Sequence, residues 1–421
     1  MRILFLTQWF DPEPMFKGLA FARELVRRGH EVEVLTGFPN YPGGRVYPGY
    51  RIRLRQREVL DGIRITRVAL FPSHDRSAVG RAANYLSFAL SAATVGVASV
   101  RGADVAYVYH PPATIALPAI VLKLFRWVPY VLDIQDLWPD SLRASGMVRG
   151  RLVLAAMAAW CRAAYRMASR IAVQSPGFKR ALAARGVADG KVEVVYNWCD
   201  ESVIARAPRD EELARSLGMA GRFNVMFAGT MGKAQALEEV LQAAALLGPA
   251  APEVQFVFVG GGVETESLKA RAAGMALGNV LFLPRCPPSE IGPILSQADV
   301  LLVHLRDDPL YEITIPSKTQ AYMALGRPIL MAVKGDAAAL VEASHSGVTC
   351  VPGDGKSIAA AVEALLRTGP ADLRRMGNNA AAFYERELSM AVGAAKIERL
   401  LAGAAGRPCE GVVAATDEER R

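Results

Sequence analysis

A chain of 421 residues is too long for one compact core, so two or three domains are expected. With 52% hydrophobic and 21% charged residues it is excluded from the disordered class, and a net charge of +8 suits anionic ligands or an anionic membrane face. Lys and Arg are spread through the chain rather than gathered into an arm, which argues against nucleic acid as a partner. No window reaches the about 18 to 20 apolar residues of a spanning helix.

Residues 1–6 are basic then apolar like a leader, but the run ends at Thr7 and Gln8 and reads instead as a first buried strand. Further strands are expected at 32–35, 63–68, 105–109, 130–133, 171–173 and 192–195. They alternate with helical stretches at 19–28, 113–125 and 151–168. Short apolar strands alternating with helices predict an α/β fold with a parallel sheet covered on both faces, and ligands at the carboxyl ends of its strands. The weakly apolar stretch 85–100 reads as a buried or interfacial helix.

The strand ends therefore carry the candidates. After the first strand, Lys17 and Gly18 open a helix and either approach a phosphate or serve only the turn. After the second, Asn40 and Tyr41 stand in a loop dense in turn formers and aromatics, more elaborate than a connector requires. His110 follows the fourth strand, and Asp136 and Trp138 follow the fifth. Asp136 there accepts a proton from a hydroxyl nucleophile or caps the following helix, and His110 takes a proton or binds a sugar hydroxyl. His30, between helix and strand, reads as structural.

Residues 201–221 read as a polar linker with a short helix, after which a second alternating unit begins. Its strands are expected at 225–228, 254–259, 280–283, 300–305, 329–332 and 348–350. The turn Gly229, Thr230, Met231, Gly232, Lys233 and the second glycine turn at Gly261 let backbone amides approach a phosphate. The clearest anion signal is Pro316, Ser317, Lys318, Thr319 and Gln320 at a helix start. There proline needs no N–H partner, and the free amides, hydroxyls and ammonium converge on the positive end of the helix dipole. The chain lacks both GxxxxGK[ST] and a first-strand GxGxxG, which argues against a P-loop ATPase and a dinucleotide dehydrogenase. Cys161, Cys199, Cys286, Cys350 and Cys409 are far apart and show no CxxC, which fits a reducing cytoplasm rather than a disulfide framework or zinc site.

The strings RGHEVEVLTGFPNYPGGRVYPGY, DIQDLWPDS, NWCD, FAGTMGKAQALEEVLQAA, the VGGG turn and IPSKTQAYMALGRPIL resemble the retaining GT4-type glycosyltransferases of bacterial surface-polysaccharide assembly, near a fucosamine-transferase subgroup. The resemblance implies a GT-B fold, with two Rossmann-like domains facing a central cleft. It implies an acceptor domain at 1–200, a linker at 201–221, a nucleotide-sugar domain at 222–387, a C-terminal helix at 388–402 and a disordered tail at 403–421. A UDP-sugar donor would lay its diphosphate on the glycine turn and on Ser317, Lys318 and Thr319. A polyprenyl-diphosphate-linked sugar would be the acceptor near Asn40, His110 and Asp136. Transfer would need no metal or other cofactor, and the protein would contact the anionic inner face of the cell membrane through Phe88, Leu90 and Val95.

The chain departs from the family where two glutamates eight positions apart are common: Ile313 and Ala321 occupy those places, with Glu312 and Gln320 beside them. Thr230 and Gln235 replace an Arg and Lys pair, so Lys318, Lys233 and Arg285 are expected to supply the charge. A GT-B nucleotide-sugar epimerase and a catalytically silent scaffold are the competing readings.

Overall fold

The computed structural model describes residues 1–73, 78–144, 148 and 150–407. It divides into two compact units. The first comprises Met1–Gln174, Lys179–Val195 and the described chain from Ala394, and the second comprises Ser175–Phe178 and Tyr196–Gly393.

The first unit is built on eight strands: β1 Arg2–Thr7, β2 Glu31–Gly37, β3 Arg55–Leu60, β4 Ile63–Val68, β5 Val105–His110, β6 Tyr130–Ile134, β7 Arg170–Val173 and β8 Val192–Val194. Their order is β3-β4-β2-β1-β5-β6-β7-β8, and only β3 runs antiparallel to its neighbour. β1, β5 and β6 are near-continuous apolar runs because helices bury both faces of the sheet. β3, RQREVL, was not expected as a strand. It alternates exposed and half-buried positions, and its charges suit a sheet edge that must not pair with another chain. The strand order reverses between β1 and β5, so the crevice for a ligand lies where Thr7 and His110 end their strands.

The second unit holds β9 Phe223–Thr230, β10 Val254–Gly261, β11 Val280–Leu283, β12 Val300–His304, β13 Ile329–Ala332 and β14 Gly347–Thr349, all parallel, in the order β11-β10-β9-β12-β13-β14. Its reversal lies between β9 and β12, which places the crevice at Gly229 and at the segment leading from His304 to the helix Ser317–Leu325. Residues 201–221, expected as a linker, are part of this unit. Ile204, Ala214 and Met219 are buried, and the Asp210 carboxylate caps the helix Glu211–Ser216 by accepting from the N–H groups of Glu212 and Leu213.

The helix Met390–Ala404 returns to the first unit from Ala394, where Glu398 accepts from Arg28 at 3.1 Å and meets His30 Nε2 at 2.9 Å. It runs through residues 403 and 404, where the tail was expected to begin. Residues 408–421, with Cys409, lie outside the described part. The expected helix at 85–100 is the C-terminal part of one that begins at Ala78 and ends at Ser99 after a π-type turn, with Phe88 and Val97 buried. Among the described residues no helix is long and apolar enough to cross a membrane.

Candidate functional site

In the second unit, β9 and β10 end side by side, Gly229 pairing with Gly260 and Thr230 with Gly261. Gly229 and Gly260 take φ of +137° and +127°. A Cβ at Gly260 would lie 2.3 Å from Gly229 O, and one at Gly262 would lie 2.3 Å from Met231 O. The glycines thus let two strand ends close backbone to backbone. Met231, expected as a donor contact, is fully buried; its N–H donates to Gly261 O and its carbonyl accepts from Glu264 N. Its backbone is already engaged and its side chain belongs to the core.

A cavity of about 310 Å³ opens beside this turn, its lining including Gly229, Thr230, Gly261, Arg285, Cys286, Lys318, Ala321 and Tyr322. The phenol of buried Tyr322 accepts the Ala228 N–H at 3.0 Å and so pins the helix Ser317–Leu325 to the end of β9. Lys318 is thereby carried over the Phe227 ring, its Nζ 3.5 Å from the ring centroid. A Cβ at Gly229 would stand 3.4 Å from the same Nζ. Among the described residues no carboxylate or other hydrogen-bond acceptor holds this ammonium, and burial pushes its pKa down to about 7.

Other expected contacts fall differently around that cavity. Ser317 is exposed at the helix start, behind the N-cap Pro316. Thr319 and Gln320 turn inward. Thr319 is buried, its hydroxyl without a partner, and the Gln320 amide, in the orientation that satisfies both its ends, donates to Pro316 O at 2.9 Å and Ser317 O at 3.0 Å. Neither side chain is part of the cavity wall: the helix spends Gln320 on its own first turn, and Thr319 is buried elsewhere. Gly232 and exposed Lys233 also lie outside the lining. Their turn is held by His304, whose Nε2 accepts from Gly353 N at 3.3 Å, leaving Nδ1 to donate to Gln235 O at 2.6 Å.

In the first unit Lys17 is fully buried and donates to Asp133 Oδ2 at 2.5 Å; Tyr107 donates to the same oxygen, and Gln135 Nε2 donates to Oδ1 at 2.6 Å. Lys17 is therefore part of a core ion pair and not the phosphate contact expected of it, since a buried ammonium must stay with its counter-charge. At Gly18 a Cβ would lie 2.3 Å from Asp11 Oδ2, which accepts the Leu19 N–H at 2.6 Å, so this glycine serves the turn.

Glu13 stitches the first two loops together. Its carboxylate accepts from Asn40 N at 2.8 Å, Tyr41 N at 2.7 Å and Phe10 N at 3.0 Å, while burial raises its pKa to about 7. Asn40 is buried, and its amide is committed to Phe38 O and to Asn84, so the side chain shapes the loop rather than facing a ligand. What these loops hold is a row of rings, of which Trp9, Trp138 and His110 are buried and Tyr41 and Tyr85 half-buried. Tyr41 stacks on Trp9 at 4.9 Å, Trp9 meets Tyr85 at 6.1 Å, Tyr85 meets Trp138 at 5.9 Å, and Trp138 meets His110 at 6.4 Å. His110 is buried with Nδ1 unpartnered, and burial lowers its pKa to about 4, so it is neutral in ordinary conditions. Asp136 is half-buried, and burial raises its carboxyl above the usual range against the opposing pull of Ser141 and Trp138. The following helix starts at Asp140, so Asp136 is not its N-cap.

Two domain families match this chain: Glycosyl transferase 4-like domain over residues 19–198, and Glycosyl transferases group 1 over residues 222–368. The chain belongs to the glycosyltransferases. A Pseudomonas aeruginosa protein named as a glycosyltransferase, WbjE, is 25% identical over 58% of this chain, a match that spans 63% of that relative. An Escherichia coli protein named as a colanic acid biosynthesis glycosyl transferase, WcaI, is 26% identical over 72% of this chain and 75% of its own length. Among solved structures, Anabaena HepE in complex with UDP-glucose superposes with a TM-score of 0.68 at 17% identity, covering 96% of this chain and 100% of HepE. Trehalose 6-phosphate synthase of Burkholderia multivorans gives 0.70 at 14% identity over 96% and 97%. These likenesses establish the GT-B fold for both sheets.

In this glycosyltransferase, Ala321, at one of the places where the family commonly has glutamate, lies on the cavity wall, while Ile313 and Glu312 are not part of it. Tyr322, His304, Trp9, Tyr85 and Glu13 were missed from sequence. Tyr322 sits in a helix buried nearly all round, which gives no periodic signal, whereas Trp9 stands in a strand-end loop and was available to the same reasoning that selected Trp138.

Proposed function

We propose that this glycosyltransferase moves a sugar, with retention of configuration, from a UDP-sugar to a lipid-linked sugar during cell-surface polysaccharide assembly. The observation that carries the donor half is the Lys318 ammonium, unpaired among the described residues and set beside Gly229 at a helix start. A diphosphate there gains the ammonium together with the helix-start amides of Ser317 and Lys318, the Thr319 N–H being taken by Pro316 O, and this charge stabilisation of the leaving group takes the place of a metal ion. Arg285, Cys286 and Tyr322 line the rest of that cavity for the nucleoside. UDP-glucose is named with HepE and colanic acid with WcaI, which supports the nucleotide and the process.

The aromatic row from Tyr41 to Trp138 suits a sugar acceptor, whose C–H faces pack on the half-buried Tyr41 and Tyr85 with Trp9 and Trp138 backing them. Asp136 and neutral His110 then orient the acceptor hydroxyl. The bond from the sugar to the phosphate oxygen breaks, the acceptor oxygen bonds on the same face, and its proton passes to the departing phosphate oxygen. Contact with an anionic cytoplasmic membrane face rests on Val79, Leu86 and Leu90, which are 78%, 54% and 58% exposed on one helix. The buried Phe88 has no part in it.

The test is a screen of UDP-sugars against polyprenyl-diphosphate-linked sugars with mass detection. Free UDP with an extended lipid product is expected. An altered UDP-sugar formed without acceptor identifies an epimerase, and UDP binding with no turnover on any acceptor identifies a silent scaffold; either outcome refutes the proposal.

A further inference from the structure

A second cavity, of about 550 Å³, lies at the amino-terminal edge of the second sheet, where Asp299 and Pro328 lead into β12 and β13. Four arginines line it, Arg206, Arg209, Arg327 and Arg374, against the single carboxylate of Asp299. Asp299 is already used: it pairs with Arg209 at 3.3 Å and accepts the Asn224 N–H at 2.8 Å. Arg209 also faces Glu211 at 3.0 Å, and Asp372 nearby is held by Arg375 at 2.5 Å.

Among the described residues, Arg206, Arg327 and Arg374 have no carboxylate as a hydrogen-bond or ion-pair partner. Arg327 donates to Ser296 O at 2.5 Å and to Ala207 O at 3.5 Å, both neutral. Arg206 donates to the neutral Asn378 amide oxygen. Arg374 is exposed, and among the described residues it has no hydrogen-bond or ion partner. Capping of carbonyls accounts for Arg327 and the Asn378 contact ties down Arg206, but these neutral partners leave both charges unbalanced, and Arg374 has no partner among the described residues. Burial weakens the hold of Arg327 on its proton and the Asp299 carboxylate opposes this, while Arg209 and Arg206 are close enough to weaken it further. Between the arginines, Leu325, Pro328 and Leu373 give the cavity an apolar wall.

We propose that this cavity binds a phosphorylated small molecule, its phosphate held by Arg206, Arg327 and Arg374 and its organic body against Leu325 and Leu373. Planar guanidiniums present paired N–H donors that match phosphate oxygens, and the volume is within the range of small-molecule sites. The site is separate from the donor cavity but joined to it. Lys318 lines one and Leu325 the other, seven residues apart on one helix, about 10 Å along its axis.

Calorimetric titration of the whole protein at low salt, with glucose 6-phosphate and inorganic phosphate as probes, tests this. Saturable binding is expected, weakened roughly tenfold or more in Arg374→Ala and further in Arg206→Ala/Arg374→Ala, and unchanged in Lys318→Ala. Arg374 makes no contact whose loss would unfold the chain, and circular dichroism checks the double variant. Absence of saturable binding at millimolar probe, binding indifferent to the arginines, or binding lost in Lys318→Ala would overturn the proposal.

Discussion

Raising the pH should weaken UDP binding through Lys318. An ordinary lysine, at 10.5, is charged throughout the accessible range, but burial holds Lys318 at about 7. Above that value the free protein carries it mostly neutral, and a diphosphate, which favours the charged form, must bring the proton back. Binding therefore takes up a proton, and affinity falls as pH rises. Each unit well above the free-state value costs about 1.4 kcal/mol, and the dissociation constant should rise roughly 50-fold between pH 7 and 9. The terminal phosphate of UDP, with a pKa of about 6, is already ionised there and contributes little. Titration of UDP into the protein in two buffers of different ionisation enthalpy reads both quantities: uptake near one proton at pH 9 and about half a proton at pH 7. Lys318→Met should bind weakly with no pH dependence above pH 7. A wild-type constant flat from pH 7 to 9, or the same slope in Lys318→Met, would show that the ammonium is not at the diphosphate.

Gly260→Ala forces a Cβ to within 2.3 Å of Gly229 O at a φ of +127°; it should lower stability by about 2 kcal/mol or more and weaken UDP binding, seen by thermal melting and titration. Lys17→Met leaves Asp133 charged and buried without its partner and should cost about 3 to 5 kcal/mol, whereas Lys17→Met with Asp133→Leu recovers much of it; unchanged melting of the single variant would contradict the core pairing. Trp138→Ala should raise the KM for the lipid-linked acceptor roughly tenfold with UDP affinity unchanged, and an equal loss on both would argue against an acceptor role for the aromatic row.

Binary pattern and composition were enough to find nearly every strand, since a segment such as VAYVYH, apolar on both faces, has no stable place except inside a covered parallel sheet. The strand β3 escaped because an edge strand carries charge where an inner strand carries valine. Pro316 ahead of Ser317 and Lys318 announced a helix start with an ammonium on it, and Lys318 lines the cavity. Partners in space were a different matter. Lys17 and Lys318 look alike along the chain, each near a strand end and a helix start. Yet one lies 2.5 Å from Asp133, which is 116 positions away, and the other faces Phe227 with no counter-charge among the described residues. Local sequence determines where a lysine emerges from an element, but whether its charge is spent or available depends on what the fold brings beside it.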